Sequence, residues 1–214
     1  MTGLSATKKR TLAVVSAGLS QPSSTRMLAD RLAAATISRL EEQGYEVEAS
    51  TFELRDVAQD IMNNMLTGFP SAKLEAVIEK VTGADGLIAV TPIFTTSYSG
   101  LFKSFFDVID NQAMAGMPVL IGATAGTPRH SLALDYALRP MFTYLHATVV
   151  PTGVFAASED WGSGADAGST LPDRIERAAG ELAPLVAASE RSTQVRDPFT
   201  LDRSFSPIGG FQAQ

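Results

Sequence analysis

Residues 10–35 read RTLAVVSAGLSQPSSTRMLADRLAAA. The part through Ala17 is a nearly continuous apolar run of strand length, the pattern of a strand covered on both faces. From Thr25 onward the period changes. Leu28, Ala29, Leu32, Ala33, Ile37 and Leu40 share one broad face, Asp30, Arg31, Ser38, Glu41 and Glu42 oppose it, and Gly44 follows as a stop. Between the two lies SAGLSQPSSTR, a loop of small and hydroxyl side chains leading into a helix. A strand buried on both faces that feeds an amphipathic helix is the repeating unit of a parallel sheet.

The unit recurs along the chain. Strand-length apolar runs follow at 47–54, 86–91, 118–124 and 148–156, after the first at 11–17. Helical stretches alternate with them: 25–43; SAKLEAVIEKVTGAD, capped by Ser71 after Pro70 and stopping near Gly83; GLFKSFFDVID, with Leu101, Phe102, Phe105, Phe106 and Ile109 inward; about 130–146; and Pro172 to about Ser189. Five alternations predict an α/β fold, a three-layer sandwich with a five-stranded parallel sheet. Right-handed crossovers then favour the flavodoxin-like strand order 2-1-3-4-5, in which ligands bind beyond the carboxyl ends of the strands. One domain is expected over 1–190. Residues 191–214, with Pro198, Pro207, Gly209 and Gly210, read as an irregular extension or an arm to a neighbouring subunit. The segment after the second strand, RDVAQDIMNNMLTGFP, is long for a connection and reads as a lid or partner-facing element.

Composition narrows the function. The 17 basic against 23 acidic residues give a net charge of -6, which argues against nucleic acid or an anionic membrane as partner. No apolar run is long enough to span a bilayer and the N-terminus does not read as a signal peptide, so a cytoplasmic location is expected. The absence of cysteine excludes disulfides, thiolate nucleophiles and iron–sulfur ligation, so redox chemistry would need an organic cofactor. His130 and His146 fall at the two ends of one predicted helix, and no metal site is expected.

Three loops then carry the chemistry. After strand 1, Ser16, Gly18, Ser20, Ser23, Ser24 and Thr25 surround a helix N-terminus, whose unpaired N–H groups and positive dipole end suit a phosphate. The lysine of GxxxxGK[ST] is missing and GxGxxG is absent, so a monophosphate fits better than a triphosphate or pyrophosphate. Simple helix capping by Ser23 or Ser24 is an equal reading. After strand 3, Pro92 is expected to end the strand and leave the backbone of Ile93, Phe94 and Thr95 facing a planar ligand. The alternative is a plain helix entry capped by Ser97 or Ser99, with Phe94 in the core. After strand 4, Thr124, Ala125, Gly126 and Thr127 are small enough for a flat ring to approach the main chain, or make an ordinary turn.

A resemblance joins the three. TPIFTTSYSGLFKSFFD, residues 91–107, resembles the P-x-[YF]-x-x-S-x-x-G-x-[LF]-K-x-[FL]-x-D signature of the NADPH-dependent FMN reductase family, matching at Pro92, Phe94, Ser97, Gly100, Lys103 and Asp107. GATAGTPRHSLALDYALRPMF is similar to the flavin reductases of sulfonate assimilation, where a T-G-rich turn runs into a helix containing D-Y-A-L-[KR]-P. SAGLSQPSSTR is similar to the family's serine-rich phosphate loop, with Ala17, Gly18, Leu19 and Ser20 in place of its GS-x-R start. The resemblance covers roughly residues 10–160, and the chain looks closest to actinobacterial members that accompany luciferase-like monooxygenases.

The resemblance implies a flavodoxin-like NAD(P)H:FMN oxidoreductase in which NADPH or NADH delivers hydride to FMN for a partner monooxygenase. Within it, Ser16, Ser20, Ser23, Ser24 and Thr25 would hold the phosphate. The backbone of Ile93–Thr95 and Thr124–Thr127 would orient the ring, with no catalytic side chain required. It also implies a homodimer or homotetramer, with Tyr136 at a π-bulge on a subunit interface; Pro140 inside the predicted helix is consistent with such a bulge. An FMN-retaining quinone, azo-dye or metal-ion reductase and a flavodoxin-like electron carrier are the alternatives.

Overall fold

The structure, a computed structural model, describes residues 8–161 and 170–193. Its strands are β1 (Lys8–Ser16), β2 (Tyr45–Glu53), β3 (Gly86–Phe94), β4 (Ser97–Tyr98), β5 (Pro118–Ala125), β6 (Thr148–Val149) and β7 (Val154–Ala157). Its α-helices are α1 (Ser24–Glu42), α2 (Ala58–Thr67), α3 (Ala72–Gly83), α4 (Gly100–Asp107), α5 (Arg139–Tyr144) and α6 (Leu171–Ala188). The main sheet is parallel throughout and runs β2-β1-β3-β5, with β6 and β7 both pairing with β5 on its far side. Counting β6 and β7 as one position, the order is the predicted 2-1-3-4-5.

Alternation along the central strands divides the core in two. Leu12, Val14, Ile88, Val90 and Leu120 pack against α1 and α6, while Ala13, Val15, Leu87, Ala89 and Ile121 pack against α2 to α5. Each large side chain so buried contributes about 1.5–3 kcal/mol, which is why nearly continuous apolar strands hold three layers together. Capping sets the helix starts: Ser23 accepts from the N–H of Arg26, Ser71 from Leu74 and Ser99 from Phe102. Thr170 and Asp173 form a capping box at α6. Four of the predicted helices thus begin at the hydroxyl residues that cap them.

Three expectations are corrected. Pro92 does not end its strand: β3 continues to Phe94, with Pro92 opposite Thr124. The carbonyl of Val90 accepts from Ala17 at 2.9 Å on the β1 side. Pro92 shares that parity, so its missing N–H faces the side that β1 has already left. The strand expected at 148–156 is two pieces, because Pro151 cannot donate to the ladder and Gly153 closes against Leu134 and Ile121.

The segment after β2, read as a lid or partner-facing element, is not irregular: it is a 3-10 turn, Leu54–Val57, followed by α2. Leu54, Val57 and Ile61 anchor it in the core while Met62, Met65, Leu66 and Phe69 stay exposed. Nor is 130–146 one helix. It comprises the end of a 3-10 turn (Pro128–His130), a π-turn (Leu134–Leu138) and α5, so His130 and His146 do not terminate a common helix. Pro140 lacks the donor that would reach the carbonyl of Tyr136, and the N–H of Arg139 instead bonds to Leu134 in the wider π spacing.

Most of the extension expected at 191–214 lies outside the described residues. Its first residues dock at the end of the sheet opposite the three loops. Ser192 donates from both its N–H (3.0 Å) and its hydroxyl (2.7 Å) to the buried carboxylate of Asp85, which also accepts from Thr11.

Candidate functional site

The loops after β1, β3 and β5 leave the same edge of the sheet, and they converge on Thr124. Across the sheet Thr124 stands opposite Pro92 of β3 and Ala156 of β7. From above it meets the first turn of α1: its hydroxyl lies 2.8 Å from that of Thr25, both buried. Three segments separate in sequence are therefore joined at one residue.

The hydroxyl-rich loop resolves into distinct roles. Ser23 spends its oxygen capping α1, at 3.2 Å from the Arg26 N–H. That oxygen also fills the space over Gly18, where an added Cβ would lie 2.0 Å from it, so Gly18 is required by close approach. Ser20 donates to the Pro22 carbonyl at 3.0 Å and remains exposed. Thr25 faces Thr124. Two hydroxyls are left. Ser24 stands exposed at the first position of α1. Ser16 is fully buried, and its Oγ has no hydrogen-bond partner among the described residues. Ser16 shares the parity of Leu12 and Val14 and so faces the α1 side of the sheet.

A buried hydroxyl without a partner costs about 1–3 kcal/mol, a cost met when a ligand supplies the missing bond. On the same face of the sheet, α1 begins at Ser24, and its first N–H groups carry the positive end of the helix dipole. The cradle therefore fits a small anion such as a phosphate monoester.

Charged side chains frame this loop from β2. Glu53, at the end of β2, receives Arg26 at 3.0 Å and Arg55 at 2.8 Å, while Arg55 also donates to the Ser20 carbonyl at 3.2 Å. Hydrogen bonding to Asp30, opposed by partial burial and supported by Glu53, raises the pKa of Arg26 above its ordinary value. Its positive charge is thus directed to two carboxylates. This frame depends on contacts between residues far apart in sequence, and nothing in the local pattern announces it.

The loop after β3 is a tight hairpin. Ile93 pairs with Tyr98 and Phe94 with Ser97, leaving Thr95 and Thr96 as a two-residue turn with φ of 47° and 71°. Positive φ at both positions is the signature of a type I′ turn, an uncommon conformation for β-branched residues. Beneath it the buried Thr91 hydroxyl accepts from the Ser99 N–H at 3.1 Å and donates to the Pro92 carbonyl at 2.9 Å. The hairpin holds Phe94 out of the core, 48% exposed, whereas its neighbour Ile93 is buried. Thr91 and the hairpin were not legible in the sequence; the cap at Ser99 was. After β5, Ala125 and the exposed Gly126 and Thr127 continue past Thr124 toward the Pro128–His130 turn.

A second concavity, of about 580 Å³, lies between α4 and the π-turn with α5, lined by Tyr98, Lys103, Phe106, Tyr136, Met141 and Tyr144 among others. None of the residues expected to hold a cofactor lines it. Tyr136 and Tyr144 stand beside it 80% and 72% exposed.

The chain is similar to known proteins over most of its length. The NADPH-dependent FMN reductase family matches over residues 10–162. An FMN reductase (NADPH) of Pseudomonas aeruginosa is 37% identical over 171 residues, 80% of this chain and 89% of the relative. The NADH-dependent FMN reductase SfnF of Pseudomonas fluorescens is 36% identical over the same shares of the two chains. Among solved structures, an oxidoreductase from Corynebacterium diphtheriae superposes with a TM-score of 0.80 at 51% identity, covering 84% of this chain and 97% of that one.

Proposed function

The chain belongs to the NADPH-dependent FMN reductase family and is an NAD(P)H:FMN oxidoreductase, and we propose that the three loops around Thr124 are its flavin site. FMN supplies the hydride-accepting centre, with NADPH or NADH as the reductant. The observation that carries the placement is the buried hydroxyl of Ser16, at the end of β1 on the face that α1 covers, which has no hydrogen-bond partner among the described residues. Ser16 and Ser24, with the N–H groups of the first turn of α1, bind the ribityl phosphate. Gly18 and Ser23 shape the loop, Ser20 closes its outer side, and Thr25 braces it. The backbone from Pro92 through Ile93, Phe94 and Thr95, and from Thr124 through Ala125, Gly126 and Thr127, orients the ring. Phe94 offers an apolar surface beside it.

No side chain of this chain is assigned a proton or hydride step. The protein binds, orients and limits water access at the ring, and the acceptor is decided by what can reach it. The reduced flavin is passed to a separate monooxygenase in the cytoplasm. Among the described residues no helix is long and apolar enough to cross a membrane. The exposed Tyr136 and Tyr144 beside the concavity support a homodimer or homotetramer through the π-turn face.

NAD(P)H oxidation by the purified protein, with and without added FMN, tests the reading. Strict dependence on added FMN is expected. Turnover of a quinone by retained flavin would favour an FMN-retaining reductase, and no NAD(P)H oxidation under either condition would overturn the assignment.

A further inference from the structure

We propose that Thr25 and Thr124 act as a positioning pair, fixing the phosphate end of the flavin site at a set distance from its ring end; the inference rests on the FMN reading above. The residue types alone suggest two independent ligands, one in a phosphate loop and one in a ring-binding turn. The geometry assigns them otherwise. Their hydroxyl oxygens are 2.8 Å apart across 99 residues of sequence, and the two residues are only 2% and 3% exposed. Each hydroxyl has one donor and two acceptor positions, and in this bond one donates and the other accepts, so each is paired within the protein. Ser16, by contrast, is equally buried and its hydroxyl has no hydrogen-bond partner among the described residues.

The position of the pair gives the bond its consequence. Thr25 lies in the first turn of α1, directly after Ser23 and Ser24. Thr124 is the penultimate residue of β5, leading into Ala125–Thr127, and is held between Pro92 and Ala156 by the sheet ladder. The sheet ladder fixes Thr124 between its neighbours, and the bond ties the N–H groups that face the phosphate to the strand end that faces the ring. A ligand that spans both, with a phosphate on one side and a flat ring on the other, gains from having that spacing fixed before it binds. The two side chains act through the segments they join.

The test is a double-mutant cycle with Thr25→Val, Thr124→Val and the combined variant, reading the KM for FMN, kcat and the melting temperature. Each single change is expected to raise the KM for FMN roughly tenfold with kcat little altered, because it leaves one buried hydroxyl unpaired and the spacing free. The combined variant should be no worse than either single one. Thr25→Ser, which retains the hydroxyl, should restore most of the wild-type KM. Multiplied single effects, giving roughly a hundredfold loss in the combined variant, would identify two independent ligands and overturn the pair. A lowered melting temperature with an unchanged KM would identify a brace of the fold only and equally overturn it. Should a valine variant fail to fold, the same cycle with Thr25→Ala and Thr124→Ala replaces it. Wild-type protein that oxidises NAD(P)H without any response to FMN would overturn the FMN reading itself, a result separable from the other two because it appears before any substitution is made.

Discussion

The hydroxyls of Thr25 and Thr124 meet at 2.8 Å beneath the N-terminus of α1. That contact joins the end of β5 to the loop after β1, while the sheet register sets Thr124 beside Pro92 of β3. A sheet of order 2-1-3-4-5 brings these strand ends together through its topology, and side-chain chemistry then fixes their spacing. The remaining features of the site can be ranked by what each hydroxyl or backbone group already bonds to.

Gly18 leaves no room for a side chain. An alanine Cβ would lie 2.0 Å from the Ser23 oxygen that caps α1. Gly18→Ala is therefore expected to displace the cap and destabilise the protein by about 1–2 kcal/mol. Urea denaturation of the two proteins measures this, and the same variant should lose FMN-dependent NAD(P)H oxidation because the first turn of α1 has moved.

Thr95 and Thr96 occupy left-handed backbone at φ of 47° and 71°. Replacing the pair with Asn-Gly, which suits a type I′ turn, should stabilise the protein by about 1–2 kcal/mol by relieving backbone strain. Thermal unfolding checks the gain. An Asn-Gly variant less stable than the wild type would mean that the threonine side chains make contacts worth more than the strain they carry.

Asp173 gives a pH signature at the far helix. Its pKa is lowered first by the hydrogen bond from the Thr170 hydroxyl and then by the Thr170 N–H, with burial opposing and Arg177 assisting. A carboxyl with a depressed folded pKa contributes stability above its unfolded value and loses it as pH falls through the folded one. Asp173→Ala should thus melt below the wild type at neutral pH, and the two curves should converge as pH drops below the ordinary value of 3.8. A gap that persists in acid would mean that the carboxylate charge is not its source, since alanine is itself the better helix former.

The fold was largely legible because its signals are local. Apolar strands at 11–17, 86–91 and 118–124 alternate with amphipathic helices, Ser71 caps one of them, and Pro140 marks the π-turn around Tyr136. Where reading failed, the deciding contact lay elsewhere in the chain. Pro92 stays in β3 because β1 has already turned away, which no residue near Pro92 reveals. The hairpin at Thr95–Thr96 carries no Asn-Gly or Asp-Gly signal.

The site was legible as three loops but not as individual roles. Composition made Ser16, Ser23, Ser24 and Thr25 equivalent hydroxyls. The structure separates them into an unpartnered buried group, a helix cap, an exposed first-turn residue and one half of a long-range bond. Capping and ligand binding, rival readings of the loop, turn out to be held by different serines in the account proposed here.

Flavin titration, following quenching of fluorescence by the wild type and by Ser16→Ala with FMN and with riboflavin, tests the placement of the phosphate most directly. Wild-type protein should bind FMN at least roughly tenfold more tightly than riboflavin, and Ser16→Ala should lose about that factor for FMN alone, a hydrogen bond to a charged group being at stake. Its melting temperature without flavin should not fall, since the hydroxyl removed has no partner. Equal affinity of the wild type for FMN and riboflavin, or an equal loss of both in Ser16→Ala, would contradict the account.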